Sequence, residues 1–321
     1  CVLLLSHCQT VFQLNMIRPL TGAFEQTTPT FNKDAFLSFQ YQKHLERETG
    51  RHWGLQPLWV RLIQQIRFDV FNLTNDKNIK GQNNILFGKA ETQAATGTRN
   101  AEAGIAQSVQ NLQHLQVFLK HHQIPLIVIL APNKSRYFQH QLPKTTETVR
   151  YMETPYESVR YHLTNAEIPF WDATAEFKTY RSGQQYLMPP LGIHWSLFGA
   201  QKSISAFLEQ VQSSWHTEAL GTLEIGPCEY ANQARFTDAD MLDALNLLKP
   251  PQTPPLCYPQ TQWHTRVTKP KVMVFGDSMY LTFLDAGLHR ELFSPESLFS
   301  FYNRSISQEG VKDRMPAHFM N

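Results

Sequence analysis

The sequence predicts an α/β protein built on a mainly parallel sheet, and three observations carry that prediction. Unalternating apolar runs of strand length, IPLIVIL at 124–130 and KVMVF at 271–275, read as strands covered on both faces. Helical stripes stand beside them, so that helix, strand and loop recur in order along the chain. Both runs end in polar turns, APNKS after the first and GDS after the second, where open α/β sheets hold their ligands.

Taken in order, residues 1–34 form a lead-in and residues 35–321 one domain. The apolar start, CVLLLSHCQTVFQL, is too short to span a bilayer and reads either as the remnant of a signal anchor or as a first helix. Residues 18–34 are turn-rich. A helix is expected from Ala35 to about Glu48, and a second over 55–71, with Leu58, Leu62, Ile66 and Val70 on one stripe. KNIKGQNNILFGKA reads as a hairpin: Lys77–Ile79 leads in, the region Gly81–Asn84 turns, and Ile85–Phe87 returns.

A long helix follows over 101–122, with Ile105, Val109, Leu112, Leu115 and Leu119 on one side, and feeds the strand at 126–131. Another helix falls within 152–164, a short strand ends at Asp172, and a helix runs from GIHWSLFGA to about Ser214 with Phe198 and Ile204 inward. The segment 217–265 is proline-rich, with a short helix around Ala239–Leu248. Its length and prolines predict an insertion or flap rather than a layer of the sheet.

Composition narrows the function classes. The 321 residues are 42% hydrophobic, 12% aromatic and 17% charged, which excludes a disordered chain. A net charge of +2 without a basic patch gives no electrostatic basis for nucleic-acid binding. Cys1, Cys8, Cys228 and Cys257 form no zinc-ligand spacing. Cys228 and Cys257 flank the proline-rich segment and are either a disulfide stapling it or two idle thiols, which leaves the redox compartment open. His121, His122 and His289 make no HExxH, and there is no GxGxxG or P-loop, so neither metal nor nucleotide cofactor is expected.

Two short blocks carry the chemistry. In VMVFGDSMYLTFLDAG a strand ends at Phe275, Gly276 permits a tight turn and a helix begins near Ser278. This sets the Ser278 hydroxyl at the carboxyl end of a strand, with a helix N-terminus facing developing negative charge. Ser278 is therefore a candidate nucleophile, although Asp277 and Ser278 also suit a plain helix cap. In GIHWSLFGA, His194 is the candidate base. Trp195 either lines the substrate cleft, as Tyr280 is expected to, or anchors the loop in the core. Asn133 in APNKS is polar and near a strand end, but asparagine there is an ordinary turn former.

Four ordered stretches then resemble one known group, the SGNH-hydrolase-like domains of the AlgX and AlgJ alginate O-acetyltransferase family. KNIKGQNNILFGKA is similar to that family's early hairpin, VILAPNKSRYFQHQLP to its lysine-bearing strand and loop, YLMPPLGIHWSLFGA to its histidine block and VMVFGDSMY to its serine block. Together they cover most of 75–290. The resemblance implies a flavodoxin-like three-layer α/β/α sandwich with the serine block late in the chain. It also implies a nucleophile at Ser278 and a histidine at His194, with no soluble cofactor.

The activity so implied is transfer of acetyl groups to hydroxyls of an exported polysaccharide, in the periplasm or at the outer face of the cytoplasmic membrane. A membrane-bound O-acyltransferase would then be the partner that supplies acetyl groups. An esterase using the same two residues, or a silent carbohydrate-binding or scaffold subunit, are the alternatives. One departure favours the silent reading: the family's aspartate stands two positions before the histidine, and here that position is Gly192. Asp172, at a strand end, and Asp277, beside the serine, are the candidates to orient the imidazole instead.

Overall fold

A computed structural model describes residues 18–22, 33–39, 41–43, 55–97, 102–144, 146, 154–180, 185–215, 220–301, 304–307 and 310–312. They pack as two compact units, Cys1–Asn75 with Met241–Pro251, and Asp76–Asp240 with Gln252–Asn321. The first unit takes in residues 35–75, expected to belong to the one domain of 35–321, together with a piece of the insertion. Most of the lead-in lies outside the described residues. The single helix expected from Ala35 to about Glu48 is instead a short one, Lys33–Leu37, ended by a turn at Ser38 and Phe39, where Phe39 takes φ +60°; residues 40 and 44–48 lie outside the described residues.

In the first unit the expected helix is α1 (Gln56–Asp69), with proline in its first turn, where a missing N–H costs nothing. The apolar stripe does not face inward, however. Leu58, Leu62, Ile66 and Val70 are exposed, while Phe68 is buried. The helix is held by its polar side: Arg61 donates to the Pro19 carbonyl at 2.8 Å, and the Lys249 N–H donates to Gln65 at 2.8 Å. Residues 61, 65 and 68 share one face, and that is the face that packs.

The second unit holds the sandwich. Strands β1 (Asn78–Lys80) and β2 (Leu86–Gly88) form the expected antiparallel hairpin. Helix α2 (Glu102–His121) leads to β3 (Val128–Leu130), and α3 (Pro155–Asn165) leads to β4 (Phe170–Asp172), which pairs with β3 in parallel. The alternation of side chains across this pair sorts them into two cores. Val128, Leu130 and Phe170 pack with Val109 of α2 and Leu163 of α3. Ile127, Ile129 and Trp171 pack on the other side with Phe198, Ile204 and Leu208 of α4 (Leu197–Trp215). Helices thus cover both faces of the pair, which is the three-layer arrangement.

Strands β5 (Thr222–Ala231) and β6 (Leu256–His264) form a separate antiparallel ribbon, with α5 (Asp240–Ala244) in its connection. The proline-rich insertion is therefore a ribbon, and its prolines fit because the register shifts between Ile225 and Cys228, next to Pro227. Cys228 and Cys257 are joined by a disulfide, with Cα atoms 5.2 Å apart.

Strand β7 (Met273–Gly276) pairs in parallel with β8 (Leu298–Phe301), which continues through β9 (Arg304–Ser307) to β10 (Gly310–Lys312). Here the expectation of burial on both faces fails. Val272 and Val274 pack on the core, but Met273 and Phe275 are exposed, because only one face of β7 is covered among the described residues. A tight turn at Ser278–Tyr280 follows, then α6 (Leu281–Asp285) and α7 (Leu288–Leu292), separated by Gly287 at φ +95°. The architecture is that of an α/β domain, with helices on both faces of the parallel β3–β4 pair.

Candidate active site

Ser278 opens the turn after β7 and is half-buried. Asp277 caps that turn, accepting the Met279 N–H at 3.0 Å, which is the ordinary capping role and not that of an acid for the histidine. Trp195 donates its indole N–H to the Met279 carbonyl at 2.8 Å. The residue after His194 is thereby bonded to the residue after Ser278, so the fold brings the two blocks together across 84 residues. Asp285, on the helix that follows Ser278, also lies within the field of His194. Burial raises its carboxyl above the usual range and the imidazole partly offsets that.

His194 is 7% exposed. Its Nδ1 lies 2.7 Å from Asp240 Oδ2, and the other oxygen of Asp240 accepts the Ile193 N–H at 2.9 Å. The carboxylate therefore grips both the ring and its backbone. A proton on Nδ1 shared with Asp240 leaves Nε2 with its lone pair, the tautomer a general base requires. Nε2 is buried and has no hydrogen-bond partner among the described residues. The Ser278 hydroxyl therefore makes no hydrogen bond to it.

Asp240 stands where a carboxylate from position 192 would otherwise be needed, and the packing at Gly192 explains the exchange. A Cβ at 192 would lie 2.5 Å from the Thr237 carbonyl oxygen and 2.9 Å from the Asp238 backbone. The segment carrying Asp240 fills the space into which a side chain at 192 would project. Aspartate at 192 and the ribbon connection at 237–240 exclude each other.

Two further groups hold this segment. Asp238 accepts from the Tyr258 hydroxyl at 2.9 Å and from the Leu197 N–H that begins α4, and burial pushes its carboxyl up to about 7. Lys134 is buried, and its Nζ donates to the Pro190 and Gly192 carbonyls at 2.8 and 2.6 Å. Burial holds its pKa well below the ordinary lysine value, with the attraction of Asp240 opposing. The lysine of APNKS thus fixes the loop leading into His194. Asn133 beside it caps the short helix Lys134–Tyr137.

Three other candidates are placed elsewhere. Asp172 accepts from the Tyr156 hydroxyl at 2.8 Å and the Ala175 N–H at 3.0 Å and pairs with Arg160, so its oxygens serve a helix cap and an ion pair rather than the imidazole. Trp195 is 1% exposed and stacked on Phe283 at 4.5 Å, so its ring anchors the loop and offers no face to a sugar. Tyr280 is likewise buried, its hydroxyl 2.9 Å from His289 Nε2, and is not substrate-lining. Burial lowers His289 to about 4, which keeps that imidazole neutral. Among the described residues no His, Cys, Asp and Glu group is arranged to hold a metal ion.

A family model for the "SGNH hydrolase-like domain, acetyltransferase AlgX" matches residues 79–283. Among solved structures, the O-acetyltransferase domain of Pseudomonas putida AlgJ is 18% identical, with 70% of this chain and 78% of that chain covered and a TM-score of 0.48. Pseudomonas aeruginosa AlgX is 14% identical, covering 70% of this chain and 55% of that one, also at 0.48. Bacillus cereus PatB1 is 13% identical over 60% and 80%, at 0.39. No curated protein matches in sequence.

Proposed function

Because the chain belongs to the SGNH hydrolase-like, AlgX-type acetyltransferase family, we propose that it carries an acetyl group on Ser278 and passes it to a hydroxyl of an exported polysaccharide. The observation that carries this reading is the His194–Asp240 pair, with Nε2 left to act as a base. In the first half-reaction Nε2 takes the Ser278 proton as Oγ attacks the carbonyl carbon of the donor ester. The bond to the leaving oxygen then breaks, and that oxygen receives the proton back from Nε2–H. In the second half an acceptor hydroxyl loses its proton to Nε2 and attacks the acyl carbon, and Ser278 leaves reprotonated. The Ser278 backbone N–H, at the start of its turn, is the donor assigned to the tetrahedral oxyanion.

Asp240 holds the ring direction and stabilises the imidazolium that forms at each transfer. Gly192 favoured a silent subunit only while no carboxylate reached the histidine, and Asp240 removes that ground. The disulfide supports placement in an oxidising compartment, the periplasm or the outer face of the cytoplasmic membrane. There a membrane-bound O-acyltransferase would supply the acetyl donor. No described helix is long and apolar enough to cross a membrane.

Mass spectrometry of the intact protein after incubation with an activated acetyl ester tests the assignment. One added acetyl group mapped to Ser278, and absent from Ser278→Ala and His194→Ala, is the expected outcome. Acetylation elsewhere, or at Ser278 regardless of His194, would contradict it.

A further inference from the structure

Phe236 sits in the turn at 236–239 with φ +54° and is 60% exposed. That left-handed region is one a bulky side chain enters only at a cost in free energy. The other positive-φ positions have ready accounts. Asn72, Asn83, Asn84 and Asn246 are asparagines, which tolerate it, while Phe39, Gln123 and Glu167 lie just past helix ends. Phe236 has neither excuse, and its ring is not buried in the protein.

Its neighbours explain how the conformation is enforced. The Arg235 N–H donates to the Tyr258 hydroxyl at 2.9 Å, and its guanidinium lies 4.3 Å over the Tyr258 ring and pairs with Glu229. On the other side the Asp238 N–H returns to the Arg235 carbonyl at 3.2 Å, Asp238 is bonded to Tyr258, and Thr237 abuts Gly192. Residue 236 is thus clamped between two anchored residues, four positions before the carboxylate that holds His194. A glycine would satisfy the turn without strain. Through the Thr237 carbonyl this turn lies against Gly192, two residues before His194, and a strained aromatic kept exposed there has its use outside the folded chain.

The geometry points to Phe236 as the platform on which a pyranose ring of the acceptor stacks, in a subsite formed by the 235–238 turn against the Gly192 end of the loop that carries His194. An exposed ring fixed by its backbone offers a flat apolar face, which suits the C–H face of a sugar and loses little entropy on binding. This rests on the acetyl-transfer reading above.

The test compares wild type with Phe236→Ala, Phe236→Trp and Phe236→Gly. The acetyl donor is an activated ester, and the acceptors are pentasaccharides of neutral, N-acetylated and uronic sugars. For the best acceptor, the ratio of acetyl passed to sugar over acetyl passed to water is expected to fall about tenfold in Phe236→Ala. Phe236→Trp should retain it. Phe236→Gly should lose it while melting about 2–4 °C higher, because glycine relieves the left-handed strain. Unchanged partition in Phe236→Ala, or no wild-type transfer to or binding of any of these sugars, would overturn the platform. If wild type binds a sugar but forms no acyl-Ser278, the acetyl-transfer reading fails. Calorimetric binding, tenfold weaker in Phe236→Ala or equal to wild type, then decides the platform alone.

Discussion

Asp240 touches His194 twice, through Nδ1 and through the Ile193 N–H, so a change at this residue disturbs both the tautomer and the loop. Asp240→Asn keeps the size but removes the charge, and is expected to slow acetyl transfer about 10³–10⁴-fold, by analogy with a triad that loses its acid. Steady-state kinetics with an activated ester, alongside a melting curve to exclude unfolding, would measure it. Gly192→Ala places a methyl group 2.5 Å from a carbonyl oxygen, and is expected to destabilise by about 1–3 kcal/mol or to push the Asp240 segment away.

Asp238 carries a pH signature. Its folded pKa, about 7, lies above the ordinary carboxylate value, so the folded state holds the proton more tightly. Its contribution to stability is greatest below about pH 4 and declines as pH rises towards 7, as the buried carboxyl ionises beside Tyr258, Arg235 and Asp240. Asp238→Asn should flatten that slope in denaturant titrations at pH 5 and pH 8, whereas an equal slope in both proteins would assign it to other groups.

Among the elements, the ribbon β5–β6 does what no residue near His194 in sequence does, because its connection delivers Asp240 and Asp238 to the loop at 190–194. Closing a loop across 29 residues by a disulfide contributes about 3–4 kcal/mol. Cys228→Ser with Cys257→Ser is therefore expected to lower stability by about that much and to slow acetyl transfer, measured as denaturation midpoint and rate. A variant with wild-type rate would show that the ladder alone holds Asp240. The strand–turn–helix at 273–285 was legible in the residues because an apolar run ends at a glycine and a cap. The hairpin, α2 and α4 were legible by their periods. The stripe on α1 misled, because helical period reports a face but not whether that face or the polar one finds a partner.

For the whole molecule, the histidine and serine blocks are recognisable by local pattern, but their meeting depends on a bond from Trp195 to Met279 that only the folded chain reveals. The acid was not legible at all. Asp240 lies 46 residues from His194, inside a proline-rich insertion, and one sequence contains no mark that distinguishes it from Asp172 or Asp277. The one available clue was the glycine at 192, which says that a carboxylate is missing there and gives no direction in which to look.

The central claim is that a carboxylate carried by the insertion completes the site. The most direct measurement is the rate at which Ser278 acquires one acetyl group in wild type and in Asp240→Asn, followed by intact mass after mixing with an activated acetyl ester. The account predicts acetylation of Ser278 in wild type, slowed by about three orders of magnitude or more in the folded variant. Equal rates in the two proteins would contradict it.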